Sequence, residues 1–154
     1  MRSAWGGGGR MGILSAKQTR KLWYAQGLRF ACQACGNCCG GGPGYVWMDD
    51  DEVEAIARHL GLERDEFRRL YGRRLWRGLS LKEEPNFDCV MLDGGSRCRV
   101  YPVRPRQCRV WPFWPSNLRS RDAWKSAARR CAGIGQGPLW SLEQIEAMRT
   151  EMRV

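Results

Sequence analysis

Histidine is nearly missing from this chain: His59 is the only one in 154 residues. That excludes Cys2His2 centres and the multi-histidine catalytic sites that hold zinc through two or three imidazoles. No apolar run approaches the roughly 20 residues that a membrane-spanning helix requires. Met11-Gly12-Ile13-Leu14 is too short to be the apolar core of a secretory signal. The expectation is therefore a cytoplasmic protein with no membrane partner, whose cysteines stay reduced. An internal repeat is also missing, and so is the C-x3-C-x2-C spacing of radical-SAM enzymes. Acidic side chains are few beside the basic ones, 16 against 26, which gives a formal charge of +10.

That charge counts every cysteine as a neutral thiol. Were all eight to bind metal as thiolates on two divalent ions, the loaded chain would sit near about +6. The excess then becomes ordinary for a small arginine-rich protein, and it is weak evidence for nucleic acid.

What the chain does have is sulfur. Of eight cysteines, four crowd into Cys32-Gln33-Ala34-Cys35-Gly36-Asn37-Cys38-Cys39, followed at once by Gly40-Gly41-Gly42-Pro43-Gly44. Two cysteines separated by two residues can close a turn around one soft metal ion. Side chains of adjacent residues diverge on most backbones, so Cys38 and Cys39 are expected to part and divide the ligands between two sites. The glycines allow backbone N–H groups to approach the sulfurs. Cys89, Cys98, Cys108 and Cys131 lie far apart in sequence and can join the cluster only through the fold. Eight thiolates suit two closed tetrahedral sites, or one iron–sulfur cluster with a zinc site. The alternative for Cys89 or Cys131 is a small buried hydrophobe. A closed all-sulfur site leaves no position for water, which weighs against a hydrolase. No catalytic residue is assigned, and the balance leans away from an enzyme.

Along the chain, residues 1–21 read as a flexible basic leader, with helix only from Lys17 onward, and 22–154 as one cysteine-cluster metal-binding domain. Phe30 is expected to pack beneath the cluster. Tyr45 to Met48 reads as a strand, and Asp49 to Glu52 opens a helix that Gly61 ends. A second helix runs from about Glu63 to Tyr71, and its basic face continues into Arg73, Arg74 and Arg77. Leu79–Leu81, Phe87–Leu92 and Cys98–Tyr101 have strand character. Four prolines, at 102, 105, 112 and 115, predict an irregular extended path carrying Cys108, Trp111, Phe113 and Trp114. Arg121 to Arg130 reads as a helix, residues 133–138 as turns, and Ser141 with Gln144 as the capping box of a last helix. The fold class is α+β: a small metal-stabilised domain, short strands and loops around a cysteine-rich centre, with about four helices packed outside.

Three stretches together resemble the YkgJ-like cysteine-cluster family, known by its CxxCxxCC motif and described as zinc- or iron-chelating. They are Cys32 to Cys39, Phe87-Asp88-Cys89-Val90-Met91-Leu92, and Arg97-Cys98-Arg99-Val100-Tyr101-Pro102 continuing to Cys108-Arg109. Cys131-Ala132-Gly133-Ile134-Gly135 resembles the family's closing stretch, so the likeness runs from about Phe30 to Gly137. It implies metal binding by all eight cysteines, with zinc or iron as cofactor, the iron as ions or as a 4Fe–4S cluster. The family pattern also includes Tyr101, Arg104 and Arg109, whose arginines offset thiolate charge or else pair with Asp49, Asp50 or Asp88. Some relatives are linked to flagellin lysine methylation. The alternative reading is accordingly an iron–sulfur or redox accessory to a protein-modifying, methylase-related enzyme, and a nucleic-acid-binding zinc protein stands third. Metal ions are the expected partners; a protein partner is left open, and nucleic acid is disfavoured because no base-reading motif accompanies the arginines.

Overall fold

The computed structural model describes residues 21–94 and 96–152. All but Lys21 of the expected basic leader lies outside them. The architecture is mixed α and β. Strand β1 (Leu28–Phe30) pairs antiparallel with β7 (Ile134–Trp140), β2 (Trp47–Met48), β4 (Gly78–Leu81) and β3 (Gly72–Leu75) form a sheet in that order, and β5 (Leu92–Asp93) pairs with β6 (Arg97–Cys98). The helices are α1 (Asp50–Leu60), α2 (Arg64–Tyr71), the single turns α3 (Arg106–Arg109) and α4 (Pro115–Leu118), α5 (Arg121–Ala128) and α6 (Leu142–Glu151). No helix among the described residues is long and apolar enough to cross a membrane.

Helix starts follow local chemistry. Asp49 and Glu52 exchange hydrogen bonds of 2.9 Å at the head of α1, and Ser141 and Gln144 do the same for α6. These boxes satisfy backbone N–H groups that a helix leaves unpaired at its first turn. Gly61 ends α1 in the left-handed region, at φ 69, where a side chain would be strained.

Two apolar clusters result. One joins α1 and α2 to the three-stranded sheet through Val53, Ile56, Phe67, Leu81, Met91 and Val100. The other joins the first and last segments through Tyr24, Phe113, Leu118, Trp124 and Ile145. In the second, Phe113 stacks on Trp124 at 5.9 Å and meets Trp140 at 5.2 Å. That is core packing rather than an exposed aromatic platform.

Several elements depart from the sequence expectation. Residues 133–138, with their glycines, are expected to be turns, yet 134–140 pair with β1 across the whole chain, a long-range partner that local pattern cannot reveal. The basic face of α2 stops at Tyr71; Arg73 to Arg77 instead build the hairpin of β3 and β4. Phe87 to Val90 is loop, with only a bridge from Cys89 to Glu83, because Pro85-Asn86 and Phe87 at φ 68 turn the chain too sharply for a ladder. Beyond Cys98 the strand gives way to a 3-10 turn at Tyr101–Val103. The proline-rich path is coiled rather than extended, since Pro105 and Pro115 stand where a helical first turn accepts them.

Candidate metal centre

Each cysteine is delivered by a different local device. Gly36 takes φ 73 and leads into a 3-10 turn over Asn37–Cys39, closed by Cys39 N–H donating to Gly36 O at 2.8 Å. Cys89 N–H donates to Cys39 O at 2.6 Å, so the 87–92 loop is laid directly on the cluster. Cys98 sits opposite Leu92 in the β5–β6 hairpin. Cys108 rides on α3, which is anchored at several points. The Arg106 N–H donates to Glu52 Oε1 at 2.6 Å, and Gln107 holds the backbone of both Tyr45 and Trp47. Trp114 Nε1 also donates to Gln107 O at 2.8 Å. Cys131 follows the end of α5, its N–H bonded to Ala127 O. It is brought to Cys32 by the Ala31 N–H donating to Gly133 O at 3.1 Å.

The eight thiols are all free and line two adjoining cavities. The first, of about 320 Å³, carries Cys38, Cys39, Cys89 and Cys108. The second, of about 410 Å³, carries Cys32, Cys35, Cys38, Cys39, Cys98 and Cys131. Cys38 and Cys39 form the wall between them. Among the described residues no three His, Cys, Asp or Glu side chains are grouped at metal-binding distance; the sulfurs surround volumes rather than a point.

The divergence expected of Cys38 and Cys39 does not occur. Their Sγ atoms stand 3.8 Å apart, because the 3-10 turn bends the chain within that pair. Two thiolates on one tetrahedral ion, with bonds of about 2.3 Å, have a separation of about 3.8 Å. The pair is electrostatically split: hydrogen bonding from Cys39 lowers the Cys38 thiol to about 6, helped by Arg104 and Arg130. Cys39 is pushed strongly upward by the same bond and by burial. Burial raises Cys89 to about 11 and raises Cys98 and Cys108 too. Charge on the neighbouring cysteines adds to each of these shifts, so the sulfurs repel one another as thiolates until a cation joins them.

Of the three side chains expected beside the cysteines, two are there. Tyr101 is raised first by its hydrogen bond to the Cys32 thiol, and Arg104 lies over the Tyr101 ring at 3.9 Å while drawing Cys38, Cys98 and Cys108 toward thiolate. Arg109 is not; it turns outward to Glu151 at 3.4 Å. Nor do the arginines choose the expected acids throughout. Arg106 takes Asp49 and Arg68 takes Asp50, whereas Asp88 packs against Gly40, where an added Cβ would collide with its carboxylate.

Two further residues join the site: Arg130, to which the sequence reading gives no role, and Trp111, which it reads only as one of the aromatics on the Cys108 path. Arg130 borders both cavities, donates to Gly40 O at 3.2 Å and lowers Cys38; its place beside Cys131 was the available signal. Trp111 also borders both cavities, and its indole Nε1 is buried without a partner. A buried N–H is rarely left unpaired, and one on a residue that borders both cysteine cavities is available to donate to a sulfur. The donor set fits a thiophilic cation or cluster: free thiols, cationic neighbours, a spare N–H and a cation-sized gap between mutually repelling sulfurs.

The family model described as "CxxCxxCC: Putative zinc- or iron-chelating domain" matches residues 31–132. No solved structure matches the chain.

Proposed function

The chain belongs to the CxxCxxCC family of zinc- or iron-chelating domains, and we propose that it chelates through a thiolate centre made of Cys32, Cys35, Cys38, Cys39, Cys89, Cys98, Cys108 and Cys131. The observation that carries this reading is the lining of two adjoining cavities by all eight free cysteines, with Cys38 and Cys39 common to both. A bound cation supplies positive charge that lets neighbouring thiols ionise together. Arg104 and Arg130 lower the remaining repulsion, Trp111 donates its indole N–H to a bound sulfur, and Tyr101 orients Cys32.

The centre lies between the two apolar clusters, with Phe113 and Phe30 on one side and Val100 and Met91 on the other. Metal binding would therefore fasten the clusters to each other, and binding free energy becomes folding free energy. A structural or carrier role follows more readily than hydrolysis, and no catalytic residue is assigned.

The test is elemental analysis with thiol titration on protein purified without oxygen. The expected result is about one or two zinc or iron equivalents per chain, with thiols that react only after a chelator is added. Metal-free protein whose thiols all react at once would overturn the reading. An iron–sulfur cluster is the second form of the centre, favoured by the wider cavity of about 410 Å³ with its six cysteines. It predicts a brown protein absorbing near ~400 nm, and a colourless zinc-loaded protein removes it.

A further inference from the structure

On the sheet beside the first cysteine cavity, which Tyr45 also borders, the fold assembles a patch that sequence order does not display. Tyr45 lies two residues before Trp47 of β2, and their rings stack with centroids 5.3 Å apart. Trp47 lies opposite Ser80, and Ser80 opposite Arg73, so the three share a sheet face. Arg73 stands over the Tyr45 ring at 5.1 Å. Trp76 and Arg77 fill the turn between β3 and β4. The Arg77 guanidinium sits 5.6 Å from the Trp47 ring and 5.6 Å from the Trp76 ring, bracketed by two indoles. Trp76 is 84% exposed and Tyr45 51%. Arg77 is exposed and makes no ion pair among the described residues.

A large indole left in water on a hairpin tip gains nothing for the fold. Tryptophan, tyrosine and arginine are the residues that anchor protein interfaces. We infer that this aromatic–arginine face of the β2–β4–β3 sheet is a docking surface for an acidic segment of a partner protein.

The charge and the geometry both select that occupant. The Arg77 guanidinium is exposed and held between two rings, so its forked N–H donors stay open beside Trp76. That is the geometry for bidentate pairing with a carboxylate. Glu83 already uses one side of Arg73 at 3.6 Å, which leaves Arg77 as the receiving charge and Trp76 as the apolar anchor. Single-stranded nucleic acid needs successive open ring faces on which bases can stack. Here Tyr45 and Trp47 spend theirs on each other and on the arginines. The chain's own residues 1–20 carry basic and no acidic side chains, so they are mismatched to this face.

The experiment is selection of a displayed random-peptide library on the full chain, followed by fluorescence anisotropy with the synthetic peptides recovered. Trp76→Ser and Arg77→Glu alter only exposed hairpin positions, and Lys125→Glu on α5 is the charge control. The expected peptides are enriched in Asp and Glu around an apolar residue. They bind about tenfold or more weakly to each hairpin variant and equally well to the control. Peptides without acidic bias, or binding indifferent to both hairpin variants, would overturn the inference. So would oligouridine RNA or phosphatidylserine vesicles that bind as tightly as the peptides and depend on Trp76 in the same way.

Discussion

Gly133 tests how the cysteines from opposite ends of the chain are brought together. A Cβ at this position would collide with the Ala31 carbonyl oxygen, and would lie 2.9 Å from Phe30 Cε2 and 3.0 Å from Ala31 C. The Phe30 ring cannot yield freely, since it is set edge-on against Phe113 at 5.9 Å. Gly133→Ala must therefore lengthen or break the 3.1 Å bond from Ala31 N–H to Gly133 O, which holds Cys32 beside Cys131. Overpacking of this kind costs about 1–3 kcal/mol. For a chain of this size about 2 kcal/mol corresponds to a fall of roughly 4–8 °C in Tm. The loaded protein needs both cysteines at one cavity, so metal retention should weaken by roughly tenfold, the equivalent of 1.4 kcal/mol. Gly42→Ala is the control, the same substitution at a distant position with nothing within 4 Å of the new methyl. Thermal melts and competition with a chromogenic chelator read both quantities. A Gly133→Ala protein that melts and releases metal like Gly42→Ala would refute the argument.

The other predictions concern the centre and the second apolar cluster. Chelation, or Cys35→Ser, should release metal and lower Tm by ten degrees or so, the equivalent of a few kcal/mol; an unchanged melt would show that the cysteines hold nothing together. Trp111→Phe keeps the ring and removes only the indole N–H, so far-UV circular dichroism should be unchanged while metal release quickens or, for iron, the reduction potential shifts. Identical release and potential would place that N–H elsewhere. Tyr24 and Glu146 set a pH window. Burial, then the 2.7 Å bond to Glu146, raises the Tyr24 phenol. Its contribution is thus complete below the ordinary tyrosine value of about 10 and is lost as pH rises beyond it. For Glu146 burial acts upward but is outweighed by hydrogen bonds from Arg149 and Tyr24, so the carboxyl is lowered. Its contribution is present above about 4.3 and is lost as pH falls through the folded value. Melts across pH should show Tyr24→Phe with a shallower alkaline loss than the parent; parallel alkaline limbs would contradict this.

The sequence was most legible where chemistry is local. The boxes at Asp49 and Ser141, the stop at Gly61 and the crowding of four cysteines into one short run depend on neighbours a few residues apart, and the pattern carries them. It was least legible where a segment's role depends on a distant partner. Ile134–Trp140 reads as turns because its glycines and proline weaken strand propensity, and only β1 on the far side of the chain makes it a strand. Gly133 and Gly137 are small because Ala31 runs against them, which looks like turn punctuation until the pairing is known. Arg109 was placed by its neighbour Cys108, but a helical turn sends adjacent side chains in different directions, and it meets Glu151 instead. Arg73, Arg74 and Arg77 read as a continuation of the basic face of α2 because the arginines recur past Gly72, and only the pairing of Gly72–Leu75 with Gly78–Leu81 shows a hairpin there.

A closed site drawn from distant segments behaves differently from a self-contained metal knuckle. In a knuckle, one loop and one ion fold together, and the rest of the chain can be indifferent. Here Cys89, Cys98 and Cys108 are tied to the cluster of α1, α2 and the sheet, while Cys131 is tied through α5 and β7 to the cluster of Trp124 and Ile145. Cys32 to Cys39 connects the two. Each apolar cluster has its own capped helices and buried aromatic ring, so each is expected to retain local order if the sulfurs are released; a bound ion would add their attachment. Removing the metal should then separate two partly ordered halves rather than unravel the chain, and the far-UV signal should outlast the near-UV signal of Trp111 and Trp114 at the seam.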